Sequence, residues 1–403
     1  MITVIGGTYN EYCFEPYWNE VFGSGLRGCN VILSLSTNSQ IEYHTFLDSR
    51  TVDHLNSFKQ LYPRFDFKCK GIEINPTFSY DHPLSSPRIF PRPDSINRTA
   101  NHLDVTGENV LCFGILEGSA TIHGENVVYD PQSPVNPISF SQTKSSANNL
   151  AIVINLREAE RICKSSSMAD MKSFFLEKEK ANVLVLKMGP KGALVSTKNG
   201  NDSVIPVYKT PYVWPIGSGD VFASSFAYHW FDGMQPALAA ERASYSTAEY
   251  CSTRGFLFSE IGSNTDFQKL IVNKNPEHQI YLAGPFFTFA QRWLIDQIRN
   301  SLLEAGLKVF SPFHDVGHGL AKDVVEKDII GLKNSKLVLA VLDGLDSGTL
   351  FEVGYAVANN ISVIGFAQKE TSEGLKMVEG TNCTLEDDFA TAVYKAYWNL
   401  AER

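Results

Sequence analysis

The chain has 403 residues, with 35 Lys or Arg against 44 Asp or Glu, a formal net charge of −9. At about 100–200 residues per domain this length predicts two domains or three. The acidic balance argues against a protein that lives on nucleic acid backbones, and no stretch approaches the ~18 uninterrupted apolar residues of a membrane helix.

The start, MITVIGGTYN, shows no charged leader ahead of an apolar run, so no secretory signal is expected. A short apolar strand at residues 3–5 runs into Gly6-Gly7, and apolar residues 31–35 follow the Gly-rich stretch GSGLRGCN. Residues 63–110 are irregular and rich in Pro, Asn, Ser and His, which suits a disordered loop, yet the β-like runs FDFKCKGIEI and NVLCFGI flank them, which suits a lid or covering flap at least as well. From residue 109 onward NVLCFGIL, NVVYDP, LAIVINL and NVLVLKMG end in Gly, Asp, Asn or Pro. Buried parallel strands with loops at their carboxyl ends have this pattern. Helices are expected over EAERICKSSSMADMKSFFLEKEKA, over SGDVFASSFAYHWFDG and over ALAAERASYSTAEYCSTRG.

Residues 258–278 are polar and lack strong periodicity, which places the domain boundary there. Beyond it QIYLAG, KVFSPF, KLVLAVLD and SVIGFA alternate with amphipathic stretches around WLIDQIRNSLLEAG, KDVVEKDIIGLKNS and TLFEVGYAVANN. Such alternation predicts a parallel sheet covered on both faces. No internal repeat and no coiled coil is read. The seven cysteines are scattered, odd in number and free of C-x-x-C pairs, so they read as reduced and mostly buried, in the cytosol. His314, Asp315 and His318 are the one cluster resembling a metal site. Pro312 and the neighbouring glycines put them on a loop, and a ligand-contacting or plain surface loop is the preferred reading.

Gly217-Ser218-Gly219-Asp220 stands at the mouth of the second expected helix. The glycines let backbone approach a ligand, and the free N–H groups and positive helix end form an anion site. An Asp among them can accept a proton from a hydroxyl beside a phosphoryl group. Alone, the motif also suits a capped structural turn. In its setting, PIGSGDVFASSFAYHWFDG resembles the signature of the PfkB/ribokinase family of carbohydrate and nucleoside kinases, with Ser218 for the usual Ala. The resemblance extends over about residues 1–260. It implies Asp220 as catalytic base, with Gly217, Ser218 and Gly219 as the anion hole, and ATP and Mg²⁺ as cofactors. Asn155-Leu156-Arg157-Glu158 resembles the family's N-x-x-E motif, which implies ATP/Mg binding, with Glu158 acting on Mg²⁺ indirectly. By residue chemistry alone, Asn155 and Glu158 also read as a helix N-terminus. VLVLKMGPKGALV resembles the strand-turn-strand of the nucleotide site and would put Gly189 and Gly192 near ATP. At the acceptor end, Glu11 or Asn10 stands where the family usually has an Asp, and Asn30 is the best match to the element lining the sugar pocket.

Three carboxylates, Asp343, Asp346 and Glu352, fall within ten residues after the buried strand KLVLAVL. Ligands bind at the carboxyl ends of strands in open α/β sheets. Asp346, Gly348 and Thr349 could be a helix cap. Glu352 lies among Leu350, Phe351 and Val353, where a solvated Glu is not required. A carboxylate facing a pocket is suited to attack an anomeric carbon and form a covalent glycosyl ester. Residues 279–403 resemble the nucleoside 2-deoxyribosyltransferase family through YLAGPFF (281–287), EKDIIGLKNSKLVLAV and DSGTLFEVGYA. The resemblance implies Glu352 as nucleophile and Tyr281, Phe287, Asp328 and Asp346 as nucleoside-binding residues. AGPFF lacks the Ser/Arg-rich phosphate grip of N-glycoside hydrolases that act on deoxynucleoside monophosphates, which favours an unphosphorylated nucleoside, although Arg292 or His314 could supply charge.

Together the readings give an α/β chain of two domains. Residues 1–262 form a ribokinase-like α/β/α sandwich with a lid, 263–278 a linker, and 279–403 a smaller Rossmann/flavodoxin-like parallel-sheet domain. The expected activity is a cytoplasmic, bifunctional one on nucleosides, sugars and ATP, in a homo-oligomer (dimer or larger), with no nucleic acid and no membrane. The alternatives are an N-glycoside hydrolase of (deoxy)nucleosides or their monophosphates, and a kinase domain degenerated to a nucleotide-binding module.

Overall fold

The computed structural model describes residues 1–402 apart from 199, 201, 263–266, 273 and 275. It divides into two compact units, Met1–Thr210 with Trp214–Ile271, and Pro211–Val213 with Val272–Arg403. Part of the expected linker lies outside the described residues. Within the rest of it, Gln268–Leu270 pairs antiparallel with Val207–Lys209 of the first unit.

The first unit is built on a nine-stranded sheet in the order Asp202–Ile205, Ala193–Thr197, Val183–Lys187, Ser146–Asn155, Ser119–Asp130, His102–Phe113, Ile2–Ile5, Ile41–Leu47, Phe65–Gly71. Ala193–Thr197 pairs antiparallel with both of its neighbours, and every other pairing is parallel. Successive strand residues serve opposite faces, since side chains alternate along a strand. Val4, Leu111, Phe113 and Val185 pack with helices Gly23–Leu35, Ser218–Phe231 and Pro236–Thr253. Ile5, Val110, Cys112 and Leu186 pack with Ala159, Met171 and Phe175. Burial on both faces explains why these strands read as unbroken apolar runs. The long helix expected after Asn155 is broken into Leu156–Cys163, Met168–Lys172 and a π-helical turn, Ser173–Lys178. Lys164 turns left-handed (φ +57°) and Ser167 caps the new start by accepting from the Asp170 N–H.

The absence of an internal repeat is corrected by the pairing of His102–Phe113 with Ser119–Asp130. Their register sets Gly107 beside Gly124, Asn109 beside Asn126 and Val110 beside Val127, so two GENV segments lie on each other. Only residues 114–118 join these parallel strands. A straight strand would put Phe113 about 36 Å from the level of Ser119, and six Cα–Cα steps span only about 23 Å. The strands therefore turn a corner. Gly107 and Gly124 mark it: a Cβ on Gly124 would lie 2.6 Å from Cγ2 of Val127, three residues ahead in the same strand. Beside the corner, Asn149 Nδ2 donates to Asn126 Oδ1 (3.0 Å) and Asn126 Nδ2 to Asn109 Oδ1 (2.9 Å), an amide ladder across three strands.

The expected lid is a four-stranded sheet in the order Trp18–Val21, Asn10–Cys13, Thr77–Tyr80, Arg88–Phe90. Half of it comes from the start of the chain rather than from residues 63–110.

The second unit holds five parallel strands in the order Lys308–Phe310, Gln279–Ala283, Ser335–Val341, Ser362–Phe366, Thr384–Glu386. In chain order this is 2-1-3-4-5, the flavodoxin-like arrangement, whose ligand crevice opens where the order reverses. The loops after Gln279–Ala283 and Ser335–Val341 flank that point. Helix Ser372–Glu379, strand Thr384–Glu386 and helix Phe389–Ala401 extend the series beyond SVIGFA, the last element expected from sequence. No described helix is long and apolar enough to cross a membrane.

Candidate active sites

In the first unit, Asp220 is the third residue of helix Ser218–Phe231, behind Gly217 at φ +77°. A Cβ on Gly217 would lie 2.2 Å from the Arg27 guanidinium carbon, so glycine admits both the turn and the arginine. Arg27 Nη1 donates to Asp220 Oδ2 at 2.7 Å, and Gln132 Nε2 donates to Asp220 Oδ1 at 2.5 Å. Arg27 is 1% exposed and also ion-paired to Glu11, whose other oxygen accepts from the Gly23 N–H at 3.1 Å. Burial opposes the guanidinium charge, but Glu11, Tyr250 and Asp220 outweigh it and hold Arg27 charged.

A second cation stands on the other side. Lys187, last residue of its strand, donates through Nζ to the buried Asp130 at 2.5 Å and to the Gly219 carbonyl at 3.5 Å. Gln132 also donates to Asp130, at 3.2 Å, and so ties that carboxylate to Asp220. Burial works against the Lys187 ammonium, yet Asp130, Glu158 and Asp220 keep its affinity for the proton above the ordinary value. Glu158 is pushed up by burial, against the pull of Lys187. A cleft of about 100 Å³ lies beside Asp220, lined by Tyr9, Glu11, Ser24, Tyr80 and Gln132 among others.

Of the residues named from sequence, Gly217, Ser218, Gly219, Asp220 and Glu11 meet here, and Glu158 adds its charge to the cluster around Lys187. Asn155 and Glu158 also form a full capping box: Asn155 Oδ1 accepts from the Glu158 N–H, and the Glu158 carboxylate accepts from the Asn155 N–H. Gly189 opens a 3-10 turn, and Gly192 sits at φ +87° where a Cβ would strike the Ile205 carbonyl. Asn30 does not line the cleft; its amide donates to the Leu26 carbonyl one turn back. Arg27, three residues earlier on the same helix, is the one that reaches Asp220. Arg27, Asp130, Gln132 and Lys187 were missed. A lone Arg inside an apolar helix, and charges closing two buried strands, were the available signals.

In the second unit, Glu352 lies one turn into helix Ser347–Ala358, and Tyr281 lies mid-strand in Gln279–Ala283. Tyr281 Oη donates to Glu352 Oε1 at 2.5 Å, and its ring stacks on Phe310. Burial pushes the Glu352 carboxyl up to about 7, with Asp328 and Asp346 adding to the shift and the Tyr281 hydrogen bond opposing it. Burial and the Glu352 charge together push the Tyr281 phenol far up, so it stays a donor. Asp328, on helix Ala321–Lys333, is raised by burial and has one buried oxygen without a partner. Asp346 is the helix cap, accepting from the Thr349 N–H at 2.9 Å and its hydroxyl at 3.0 Å, while its charge still reaches Glu352. Phe287 is 67% exposed and stacks on Phe286. His314 bonds to Asp296 and Ser311, Asp315 accepts from the Ser311 N–H, and Arg292 donates to the Phe286 carbonyl. Among the described residues no group of three His, Cys, Asp or Glu could hold a metal ion.

The two units thus carry two sites: a carboxylate at a helix N-terminus among cations, and a buried carboxylate at the switch point of a parallel sheet. Residues 119–260 match the model of the pfkB family carbohydrate kinases, and residues 280–387 that of the nucleoside 2-deoxyribosyltransferases. The chain therefore joins a segment that matches the one family model to a segment that matches the other. A stretch of 58 residues is 40% identical to a 5-dehydro-2-deoxygluconokinase from Listeria innocua, covering 14% of this chain and 18% of that protein. The chain thus spans under a fifth of the length of that relative. The ribokinase from Giardia lamblia shares the fold of the first unit, at TM-score 0.50 and 13% identity over 64% of this chain and 95% of that one. A nucleoside kinase from Methanocaldococcus jannaschii is similar at TM-score 0.46 and 15% identity over 64% of this chain and 93% of that one.

Proposed function

We propose that the chain is a bifunctional enzyme of nucleoside metabolism. Its second unit breaks and remakes an N-glycosidic bond, and its first transfers the γ-phosphoryl group of ATP to a sugar or nucleoside hydroxyl. The observation that carries the reading is the Tyr281–Glu352 pair, a carboxylate raised to about 7 that has no ion pair among the described residues. Ionised, Glu352 attacks the anomeric carbon; the new C–O bond forms as the C–N bond breaks, and the departing base takes a proton from water. A second base, or water, then attacks that carbon and releases the carboxylate. Tyr281 holds Glu352 in line, and the exposed Phe286–Phe287 pair offers a platform for a base.

In the first unit Asp220 takes the proton of the acceptor hydroxyl while the helix N-terminus receives the phosphoryl oxygens. Arg27 and Gln132 fix the carboxylate, which retains lone pairs for that proton. The residues present fit a Mg²⁺ ion held mostly by phosphate and water, with Glu158 as the nearby anion; when bound it would offset charge on the phosphates. Large apolar side chains of the second unit are exposed, among them Phe287, Phe289, Trp293, Leu320, Val325, Ile330 and Phe351. They support a homo-oligomer, and the chemistry of ATP and free thiols supports a cytosolic setting.

A second reading has one observation in its favour. Arg27 engages both Glu11 and Asp220, the two carboxylates on the acceptor side, beside a cleft of about 100 Å³. This suits a first unit that binds nucleotide without turning it over.

Chromatography of the protein with a panel of ribo- and deoxyribonucleosides, with and without a second base and Mg-ATP, tests both. Glu352→Gln should lower the yield of new nucleosides or free bases by about 10³-fold or more. Free base without new nucleoside would make the activity hydrolytic. Asp220→Asn should lower ATP-dependent phosphorylation about 10²–10⁴-fold. Glycosyl chemistry without any phosphorylated product would support the second reading, and silence in both assays would end the first.

A further inference from the structure

Next to the Asp220 cleft, and separate from it, the first unit has a larger cavity of about 290 Å³. It forms where the corner-turning strands end, between the loop after Phe113 and the loop after Asp130. Gly114 and Gln132 line both spaces, so the two share a wall. The larger cavity has apolar sides, including Ile115 and Tyr129, and polar groups from Arg98, Thr99, Ser133 and Asn136. No carboxylate is among the residues that line it.

Arg98 sets its charge. One guanidinium nitrogen donates to the Ile115 carbonyl at 3.0 Å, which pins the side chain. Among the described residues its guanidinium makes no other hydrogen bond and no ion pair. The acid that its field reaches is Glu117, fully buried and bonded from Tyr9 at 2.8 Å. A pinned guanidinium keeps its planar fork for a carboxylate or phosphate, and the apolar sides exclude water from behind whatever it holds. The volume suits one ring with a short charged arm, since drug-sized ligands take pockets of roughly 300–1,000 Å³.

We propose that this cavity binds a monosaccharide-sized anion, a sugar phosphate or a sugar acid, with the charged arm on Arg98 and the ring against Ile115 and Tyr129. Thr99, Ser133 and Asn136 supply the partners for ring hydroxyls. Through Gln132, which bonds Asp220 directly, an occupant is one residue away from the kinase-like carboxylate. The site requires neither of the activities proposed above.

Calorimetric titration of the full chain with ribose 5-phosphate and, separately, gluconate tests it, with ribose and inorganic phosphate as controls. At least one of the two anions should bind saturably at one site, and ribose should not. Arg98→Gln should weaken that binding at least tenfold. Thr99→Trp, at the exposed rim, should block it with the thermal unfolding midpoint unchanged. Binding should persist in Asp220→Asn and in Glu352→Gln, and tighter binding by the phosphate than by gluconate, or the reverse, identifies the arm. Failure of both anions to bind would overturn the site, as would ribose binding equally well, or binding that survives both Arg98→Gln and Thr99→Trp. Loss in Asp220→Asn or Glu352→Gln would assign the ligand to those sites instead. Inorganic phosphate binding as tightly as the sugar phosphate would overturn the ring-sized part.

Discussion

The two units hold their central carboxylates in opposite electrostatic settings. Asp220 is flanked by Arg27 and Lys187, each in turn bound to a further carboxylate, Glu11 or Asp130. Glu352 has a phenol for a partner and two more acids, Asp328 and Asp346, within electrostatic reach. Buried charge must be balanced or it retreats to the neutral form. The first unit balances it with cations, which suits the base proposed to act beside phosphate. The second leaves it unbalanced, which suits the proposed nucleophile, whose attack would remove its own charge. The scaffolds differ as well: the second unit joins its strands by helical crossovers, while the first replaces one crossover with a strand corner at Gly107 and Gly124.

The largest effect that would break this comparison lies at Arg27. Arg27→Met leaves buried Glu11 without a counter-ion and Asp220 with Lys187 as its remaining cation, and should cost the first unit about 3–5 kcal/mol. Adding Glu11→Gln should restore part of the loss. Denaturant unfolding reads both, and an unchanged midpoint in the single variant would mean the cation is not what balances the site.

The corner is tested next. Gly124→Ala places a methyl on Val127 and should destabilise by roughly 1–3 kcal/mol. Gly71→Ala, with open space at its Cβ, should stay near zero. Equal effects would remove the corner as a reason for glycine.

The second unit should show its imbalance in its pH response. The folded state holds the Glu352 proton more tightly than the unfolded chain, whose carboxyl sits near ~4.3. Stability from this group is therefore present below that value and lost as pH rises to about 7. Glu352→Gln should accordingly melt higher than wild type at pH 8, by roughly 1–3 kcal/mol, and gain little at pH 4. The smallest effect is on the rate profile. Glycosyl transfer should rise with pH through about 7 as Glu352 ionises. Tyr281→Phe removes the bond that favours the charged form, so its acid limb should move to higher pH, by under about one unit. A move to lower pH would show that Tyr281 does not support the carboxylate.

Local pattern carried much of this molecule. Apolar runs ending in Gly, Asp or Asn marked both sheets, because strands buried on two faces need no polar alternation. Short motifs marked Asp220 and Glu352, because a helix start and the carboxyl end of a strand are local events. Glu158 and Asp346 each take part in a helix cap and also add their charge to the cluster nearby, which short motifs alone do not separate. What stayed hidden depended on contacts far apart in the chain. Arg27 meets Asp220 across 193 residues, and Lys187 meets Asp130 across 57. The lid draws half its strands from residues 10–21, and the GENV pair gains meaning only once its two copies lie in register.

By itself the sequence determined the class of sheet in each half, the order of the helices and strands around each carboxylate, and the two family likenesses. The tertiary structure alone decided which charges stand against those carboxylates, because Coulomb energy and desolvation depend on distance and burial, not on separation along the chain. That is why Asn30 stood out in the sequence while Arg27, three residues earlier, is the one that meets Asp220, and why Glu352, one acid among three in the sequence, is the one that burial pushes up to about 7.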